Sequence, residues 1–488
     1  RLEPRFTTTG RNRLVNSGGN DTHALEMGAG DCTVEQMVRG ARGRWAAGPP
    51  KIDSASEVPV AKSPIVASSR PAEQVIMPRR TGGGRRPQQR LRRTGTRLAA
   101  KVNEATLPTT AGCVKDVLKI MASSAAVAKQ QEWGCSMLRE MAARGSPDQD
   151  EIGTTCAIEL TLNALATHHA VADVQQKGVG ALDKIIDRHT GNALQLLELG
   201  GLSLVFRSMT NHVELTPLQE AGCNVLRSVT LCSPESQAKV ASLGGIPSTL
   251  TAMRAHPLEA CVQESGCRLL KELAAYSTSN QADIFSQGGI PVVLRAMETH
   301  QAVQHIQELS CGVLRNMTAC NAECQEDVVF RGGVRLVVEA MRLHAAAARV
   351  QWAGCWALFC LSVHNTDMQA EVAAYGGASV ALLALEQHRG DPLVQEAGAW
   401  LLKEVAAHVS KDRTKVSSAV TALMKVMDRH QDSPKVYTAA GSALRKLADH
   451  DTKGWVRSIC VGRAGRVGRS VTTRALAAIE ETPEEIAE

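Results

Sequence analysis

The sequence predicts an all-α protein, a helical solenoid of about eight repeats that each contain 44 residues and three helices. Three observations support this prediction. The segment Gln-Glu-Ala-Gly-Cys-Asn-Val-Leu-Arg at residues 219–227 recurs in related form at 263–271 and 307–315. The same step of 44 residues aligns further Gln and Leu residues along the chain. Aromatic residues make up only 3% of the chain and apolar residues 44%, which favours thin stacked helices over a sandwich or barrel.

Residues 1–101 are predicted to form a disordered basic leader rich in Gly, Pro and Arg. They contain 19 Lys or Arg and 8 Asp or Glu, a net charge of +11, so residues 102–488 carry −5 of the total of +6. Gly82–Gly84 and Pro87 interrupt the most basic part and argue against a helix there. The cationic residues of this basic arm are Arg79, Arg80, Arg85, Arg86, Arg90, Arg92, Arg93 and Arg97. Such an arm makes nucleic acid a second class of partner, bound through its phosphates.

The first helix of each repeat is predicted to be short and to end at a pair of glycines. Val240, Ile284 and Val328 occupy one apolar column of this helix. The pair Gly244–Gly245 follows in one repeat, and glycine ends a helix because it enters the left-handed conformation without steric cost. Pro247 then stands where the first turn of a new helix has no partner for an amide, which predicts a restart.

The second helix is predicted from apolar residues at positions i, i+4 and i+7, as in Ile246, Leu250 and Met253. This spacing forms one buried stripe. Three residues later a histidine recurs in the column His168, His212, His256, His300, His344, His388 and His430. Metal ligands must converge on one ion, whereas these residues lie a repeat apart, so we expect each ring to bond helix-end carbonyls.

The third helix is predicted to begin near the glutamine that recurs every 44 residues, such as Gln307, and to run through segments such as Leu314-Arg315-Asn316-Met317. Counting by columns divides the repeat region, residues 102–450, into eight units. These units are 102–145, 146–189, 190–233, 234–277, 278–321, 322–365, 366–409 and a shorter 410–450. The end units are atypical, since one face of each lacks a neighbour.

The unit resembles the armadillo repeat in its order of segments, which is Gly-Gly-Ile before an apolar helix, then Val-Gln-Glu, then Leu-Arg-Asn-Met. The resemblance covers residues 102–450. It implies a right-handed α-solenoid with a groove lined by the third helices, which binds extended segments of partner proteins. In armadillo proteins of the importin-alpha type, a ladder of Asn with Trp one turn earlier clamps a basic peptide. Only Asn316 occupies that Asn position here, and Trp356 and Trp400 occupy the Trp position without the Asn partner. An importin-like activity is therefore not expected.

A more uniform column precedes the Asn position and is basic in six of eight repeats. It reads Arg139, Asp183, Arg227, Lys271, Arg315, Phe359, Lys403 and Arg445. Two interpretations stay open. Arg and Lys are good helix formers that complement the dipole near a helix C-terminus. Alternatively, the column is a ladder that faces the groove and accepts an acidic extended segment. Pairing with Glu140, Glu272 and Glu404 would favour the first interpretation.

The sequence predicts no catalytic residues, no metal and no cofactor. Of its 14 Cys residues, Cys135, Cys223, Cys267, Cys311 and Cys355 share one column of the repeat. Residues of one column are separated by roughly 8–10 Å, beyond disulfide reach, so we interpret them as small core residues in a reducing compartment. Residues that recur in every repeat are also the opposite of what one active site requires.

Residues 451–488 are predicted to be a basic Gly/Arg tail whose last part, 472–488, forms a capping helix. Gly462–Arg469 resembles the arginine-finger motif of superfamily 2 helicases, but no phosphate-binding loop or metal box accompanies it.

The sequence as a whole predicts a non-enzymatic protein-interaction scaffold in the cytoplasm or the nucleus, without a membrane span or a small-molecule substrate. Two alternatives are a nucleic-acid-associated protein that uses the basic arm, and the armadillo portion of a longer enzyme such as a kinase. The second stays open because the chain begins at Arg1 rather than Met.

Overall fold

The computed structural model describes residues 113–319, 321–462 and 469–480, and within these ranges it contains helices and no strand. The prediction of an all-α repeat solenoid is confirmed. In chain order the helices are α1 Val114–Ser123, α2 Ala128–Ala142, α3 Ser146–Gly153, α4 Ala157–Thr167, α5 Ala172–Ile186, α6 Thr190–Glu198, α7 Gly201–Asn211, α8 Thr216–Thr230, α9 Pro234–Ser242, α10 Gly245–Ala255, α11 Ala260–Ala274, α12 Thr278–Ser286, α13 Gly289–Thr299, α14 Gln304–Thr318, α15 Ala322–Phe330, α16 Gly333–Leu343, α17 Ala348–Ser362, α18 Thr366–Ala374, α19 Gly377–Gln387, α20 Pro392–Glu404, α21 Ala406–Val409, α22 Arg413–Arg429, α23 Pro434–Asp449, α24 Trp455–Gly462 and α25 Arg469–Glu480.

Repeats 2 to 7 each contain the three helices in the predicted order, as α9, α10 and α11 do in repeat 4. Repeat 1 contributes α1 and α2, because its first part lies outside the described residues. In repeat 8 the first two helices merge into the single helix α22, and in repeat 7 the third helix breaks at Val405. The leader 1–101, with its basic arm Arg79–Arg97, also lies outside the described residues.

The junction between α9 and α10 shows how glycine separates the first two helices. Gly244 has a φ of +103°, the left-handed conformation in which a side chain would be strained. Gly245 begins α10, and a Cβ atom there would lie 2.8 Å from the carbonyl oxygen of Val240. The first glycine therefore makes the turn and the second permits the close approach of the two helices.

The interior is formed by the apolar columns that the periodicity predicted. Ile246, Leu250 and Met253 of α10 are buried and face the third helix α11. Gly266 of α11 lies against Met253, where a Cβ atom would come within 2.5 Å of the Met253 Cγ. Each third helix packs against the third helices of the repeats before and after it, so the core continues from repeat to repeat.

The Gln column closes the loop between the second and third helices. Each side-chain Nε2 donates two hydrogen bonds of 2.8–3.0 Å to carbonyl oxygens at the end of the second helix. For Gln263 these acceptors are Met253 and His256. The residues that act in this way are Gln131, Gln175, Gln219, Gln263, Gln307, Gln351 and Gln395. A buried amide group thus satisfies carbonyls that the helix end leaves without a partner.

The His column joins neighbouring repeats. Each of its seven residues follows directly after its second helix, and each ring Nε2 lies 2.6–2.9 Å from a loop carbonyl oxygen of the preceding repeat. His300, for example, contacts the carbonyl oxygen of Pro257 at 2.9 Å. Because a carbonyl oxygen only accepts, Nε2 carries the proton and donates it. The predicted bonds to helix-end carbonyls are therefore wrong, because the ring acceptors are loop carbonyls of the preceding repeat and the column joins repeats instead of ending helices.

A second Gln column, which the sequence reasoning overlooked, caps the third helices. In α3, α9 and α15 the residues Gln149, Gln237 and Gln325 donate to carbonyl oxygens at the C-terminal end of the third helix in their own repeat. Gln237 Nε2 lies 2.7 Å from the oxygen of Glu272 and 2.9 Å from that of Ala275. The step of 44 residues between Gln237, Gln281 and Gln325 was the available signal.

Helices α24 and α25 continue the stack beyond residue 450. Both pack against α22, and α25 also packs against α23 as a further third helix would. Arg445 of α23 donates from Nε to the carbonyl oxygen of Ala478 at 3.1 Å. The predicted capping segment therefore overlaps a helix, Arg469–Glu480, while 481–488 and most of the Gly/Arg motif, 463–468, lie outside the described residues.

No single helix among the described residues is long and apolar enough to cross a bilayer. Two consecutive helices, Thr366–Ala374 and Gly377–Gln387, reach the length and apolar composition of a membrane span only when they are counted together, and the chain bends between them.

Candidate partner-binding groove

The candidate site is the third-helix face, formed by three aligned rows of side chains on the third helices. In α14 the rows are represented by Glu308, Gly312 and Arg315, which are four and then three residues apart and share one side of the helix. Equivalent positions recur in α2, α5, α8, α11, α17, α20 and α23. All predicted groove residues lie in these rows or directly beside them.

The predicted basic row is not uniformly available to a partner. Arg139 is exposed, Arg227 and Arg445 are half-buried, and Arg315 and Phe359 retain only 8% and 3% of their exposure. Lys271 Nζ lies 3.2 Å from a carboxylate oxygen of Glu272. Lys403 Nζ lies 3.8 Å from Glu404 in the same way.

Two of the lysines therefore show the pairing with neighbouring glutamates that the sequence left open. Their charges are largely compensated within their own helices. The basic row is thus not a simple ladder of six free cations, and its members differ in what they offer a partner.

Burial perturbs the pair formed by Lys403 and Glu404. Desolvation lowers the pKa of Lys403, and the nearby Glu404 opposes this shift only in part. Desolvation likewise raises the pKa of Glu404, although Lys403 and a hydrogen bond from Gln369 at 3.2 Å favour its charged form. Both shifts have the same leading cause, which is the removal of the two groups from water.

Arg315 is the most deeply buried cation of the row. Its Nε donates to the side-chain oxygen of Asn316 at 3.2 Å, and Asn316 donates in turn to the carbonyl oxygen of Lys271 at 2.9 Å. The guanidinium carbon lies 5.2 Å from the ring centroid of Trp352, a cation–π contact with the next repeat. Asn316, predicted as a groove residue, therefore positions Arg315.

Aromatic side chains concentrate beside Arg315 in repeats 6 and 7. The ring centroids of Trp356 and Phe359 are 5.4 Å apart in an edge-to-face arrangement, and those of Phe359 and Trp400 are 6.1 Å apart. Lys403 Nζ lies 4.6 Å above the ring of Trp400. The chain contains only 5 Phe, 6 Trp and 3 Tyr. We call Trp352, Trp356, Phe359 and Trp400 the aromatic cluster.

An acidic row on the same face was missed by the sequence reasoning. It consists of Glu132, Glu220, Glu264, Glu308 and Glu396. Glu264 pairs with Arg268 at 2.5 Å, and its carboxylate also lies 3.6 Å from Nδ1 of His305 in the next repeat. Glu308 pairs with Arg349 of the next repeat at 3.4 Å. The recurring Gln-Glu dipeptide was the available signal, and Trp352, which replaces the glutamate in repeat 6, marked the aromatic cluster.

The cysteine column belongs to the interior. Cys135, Cys223, Cys267, Cys311 and Cys355 are fully buried and carry free thiols. Burial raises the pKa of the Cys223 thiol to about 12 and that of Cys267 to about 11. Such thiols are unreactive at neutral pH. No group of three or more His, Cys, Asp or Glu residues in the described ranges could hold a metal ion.

Comparison with known families matches residues 161–462, more than half of the chain, to the LRRK2 ARM repeat. No sequence among curated proteins matches the chain.

Several solved structures share the fold. A chain from a structure titled "A conserved phosphorylation switch controls the interaction between cadherin and beta-catenin in vitro and in vivo" superposes with a TM-score of 0.63 and 17% identity, covering 77% of this chain and 72% of that chain. A designed armadillo repeat protein superposes with a TM-score of 0.44 and 14% identity, covering 51% of this chain and 99% of its own. At these identities the first of the two likenesses supports the fold alone, and the second adds nothing further.

Proposed function

Because this chain belongs to the armadillo-repeat family represented by the LRRK2 ARM repeat, we propose that it is a non-enzymatic scaffold that binds an extended segment of a partner protein along its third-helix face. The observation that carries the proposal is the aromatic cluster. In a chain with 6 Trp, three of them lie together on this face. Trp and Arg are enriched among the residues that dominate protein–protein binding energy.

The distribution of polar residues supports a scaffold rather than an enzyme. One active site requires one set of residues, whereas the Gln and His columns described above each occupy seven of the eight repeats and the Glu row occupies five. The Gln and His side chains already bond backbone carbonyls. The rows of the third-helix face have the length and repetition that suit an extended partner.

Site-specific photo-cross-linking tests the proposal in cells that express the full chain. A photoreactive residue replaces Asn224, which is half-buried in the middle row of the third-helix face, or Arg207, which is exposed on the second helix α7. We expect a discrete cross-linked partner protein from position 224 and none from position 207. Equal cross-linking from positions 207 and 224 would argue against the proposal. So would the absence of cross-linking from both position 224 and a second third-helix position, Ser442.

A second candidate is that the chain is the armadillo portion of a longer enzyme such as a kinase. The match to the LRRK2 ARM repeat is compatible with this reading. Peptide mapping of the endogenous protein tests it. Peptides that extend beyond residue 488 into a catalytic domain would support it, and an endogenous protein that ends at residue 488 and yields no peptides preceding residue 1 would contradict it.

A further inference from the structure

Arg315 is a buried cation to which the described part of the chain supplies no anionic partner. It retains 8% of its exposure, and no carboxylate among the described residues lies within 4 Å of its guanidinium nitrogens. Removing a charge from water is costly unless a partner compensates it. The cation–π contact with Trp352 and the hydrogen bond to Asn316 provide only part of that compensation.

The two contacts of Arg315 also fix its orientation. Nε is held by Asn316, and the guanidinium carbon lies over Trp352, which leaves the terminal nitrogens Nη1 and Nη2 without an acceptor among the described residues. Neither nitrogen is sealed from solvent. A planar guanidinium that presents two N–H groups matches the two oxygens of a carboxylate.

We infer that Arg315 is the anchor for one carboxylate of an acidic partner peptide, and that an apolar side chain of the same peptide packs on the half-buried Trp400 and on the edge of Trp356, of which 8% is exposed. This inference rests on the proposed function and names the chemistry of the partner. Trp352 and Trp356 are four residues apart in α17, a distance of about 6 Å along the helix. Alternate residues of an extended peptide face one side and are separated by a similar distance, roughly 6.6 Å. The expected pattern is therefore an Asp or Glu, any residue, then an apolar residue, in either chain direction.

The surrounding charges favour a single carboxylate over a phosphate. Lys271 and Lys403, on either side along the row, already pair with Glu272 and Glu404. Glu308, on the same helix as Arg315, pairs with Arg349. One negative charge balances Arg315, whereas a phosphate dianion would leave an uncompensated charge beside these glutamates.

Selection from a random 12-residue peptide display library tests the inference on the full chain. Three proteins are compared: the native chain, Arg315→Gln, and Arg335→Gln as a matched control. Arg335 is exposed on α16 and pairs with Glu339 of its own helix, away from the third-helix face. We expect the native chain and the control to enrich peptides with the acid–any–apolar pattern, and Arg315→Gln to lose that enrichment.

Synthetic copies of one enriched peptide then separate the contributions by fluorescence anisotropy. Replacing its acid by Gln is expected to weaken binding at least tenfold to the native chain and to have no effect with Arg315→Gln. A phosphoserine copy is expected to bind no more tightly than the acid. Tighter binding of that copy would overturn the assignment to a carboxylate. Arg315→Lys keeps the charge but not the paired N–H groups and serves as the second variant, with an intermediate loss expected.

The outcomes distinguish the inference from the proposed function. Enriched peptides that lack the pattern, or that bind Arg315→Gln unchanged, overturn the inference. If Asn224→Arg, elsewhere on the third-helix face, still weakens their binding, the proposed function stands. If the library yields no binder, or only peptides whose binding is changed by neither Arg315→Gln nor Asn224→Arg, the inference and the proposed function both fail.

Discussion

Glu404 illustrates how burial and charge compete at a single residue of the third-helix face. Its carboxylate is compensated by Lys403 and Gln369, yet burial still raises its pKa. In the unfolded chain the carboxyl has its ordinary, lower pKa. The folded state therefore binds this proton more readily than the unfolded state does, and the contribution of Glu404 to stability decreases as pH rises.

We predict that Glu404→Gln removes this part of the pH dependence. Below the ordinary pKa of Glu, both the side chain in the native protein and the substituted amide are neutral. As pH rises through the elevated folded pKa of Glu404, stability conferred by the protonated carboxyl is lost from the native chain and not from the variant. The measurement is the free energy of opening of repeat 7 amides by hydrogen exchange between about pH 4 and pH 7.

Glu140→Gln is the matched control, because Glu140 occupies the same column in repeat 1 and is exposed. A difference between the native chain and Glu404→Gln that stays constant over this pH range would contradict the assignment of the shift to burial of Glu404.

At the scale of the elements, the loop between the second and third helices depends on one glutamine. Gln263 is 2% exposed, and its two hydrogen bonds satisfy the carbonyl oxygens of Met253 and His256. His256 in turn bonds the carbonyl oxygen of Val213 in the preceding repeat at 2.6 Å. The loop therefore connects the ends of α10 and α11 to each other and to repeat 3.

We predict that Gln263→Leu lowers the local stability of repeat 4 by about 2 kcal/mol. Leucine keeps a similar volume but leaves two carbonyl oxygens without a donor, and an unsatisfied buried polar group costs about 1–3 kcal/mol. Hydrogen exchange of amides in α10 and α11 measures the effect. Gln304→Leu, at an exposed position in the first turn of α14, should change the same quantity by less than about 0.5 kcal/mol. Equal effects of the two substitutions would show that the buried hydrogen bonds do not stabilise the loop.

At the scale of the whole molecule, the solenoid has a last repeat whose apolar face needs a cover. Val456 and Cys460 of α24 and Val471 and Ala475 of α25 are buried, and they supply this cover against α22 and α23. A repeat array without such an end unit would expose the interior of its last repeat.

We predict that a chain truncated after residue 450 loses protection in repeat 8 and associates with itself. The two valines alone contribute about 3 kcal/mol when fully buried, at roughly 1.5 kcal/mol each. Hydrogen exchange of α22 and α23, together with light scattering, measures the outcome. A chain truncated after residue 480 keeps α24 and α25 and should behave as the full chain. Unchanged protection of α22 and α23 after the shorter truncation would rule out a capping role for these helices.

The sequence by itself determined the solenoid, because the same pattern of residues recurs every 44 residues and predicts the same three helices in each unit. Glycine pairs, the apolar stripe and the Gln column each gave a local physical reason for a turn, a buried face or a helix start. The agreement of these columns over successive repeats allowed the fold to be predicted and led to the third-helix face. The columns of Gln281 and Glu308 were present in the sequence too, but their roles depend on partners that lie in another helix.

Only the tertiary structure decided what the predicted groove residues do. Lys271, Lys403 and Arg315 share one column, and nothing in their spacing distinguishes them. The structure shows that two of them pair with the glutamates next to them in their own helices, while Arg315 stacks on Trp352 of the next repeat. The physical reason is that periodicity fixes which side of a helix a residue occupies, whereas its charge environment and exposure also depend on side chains of neighbouring repeats.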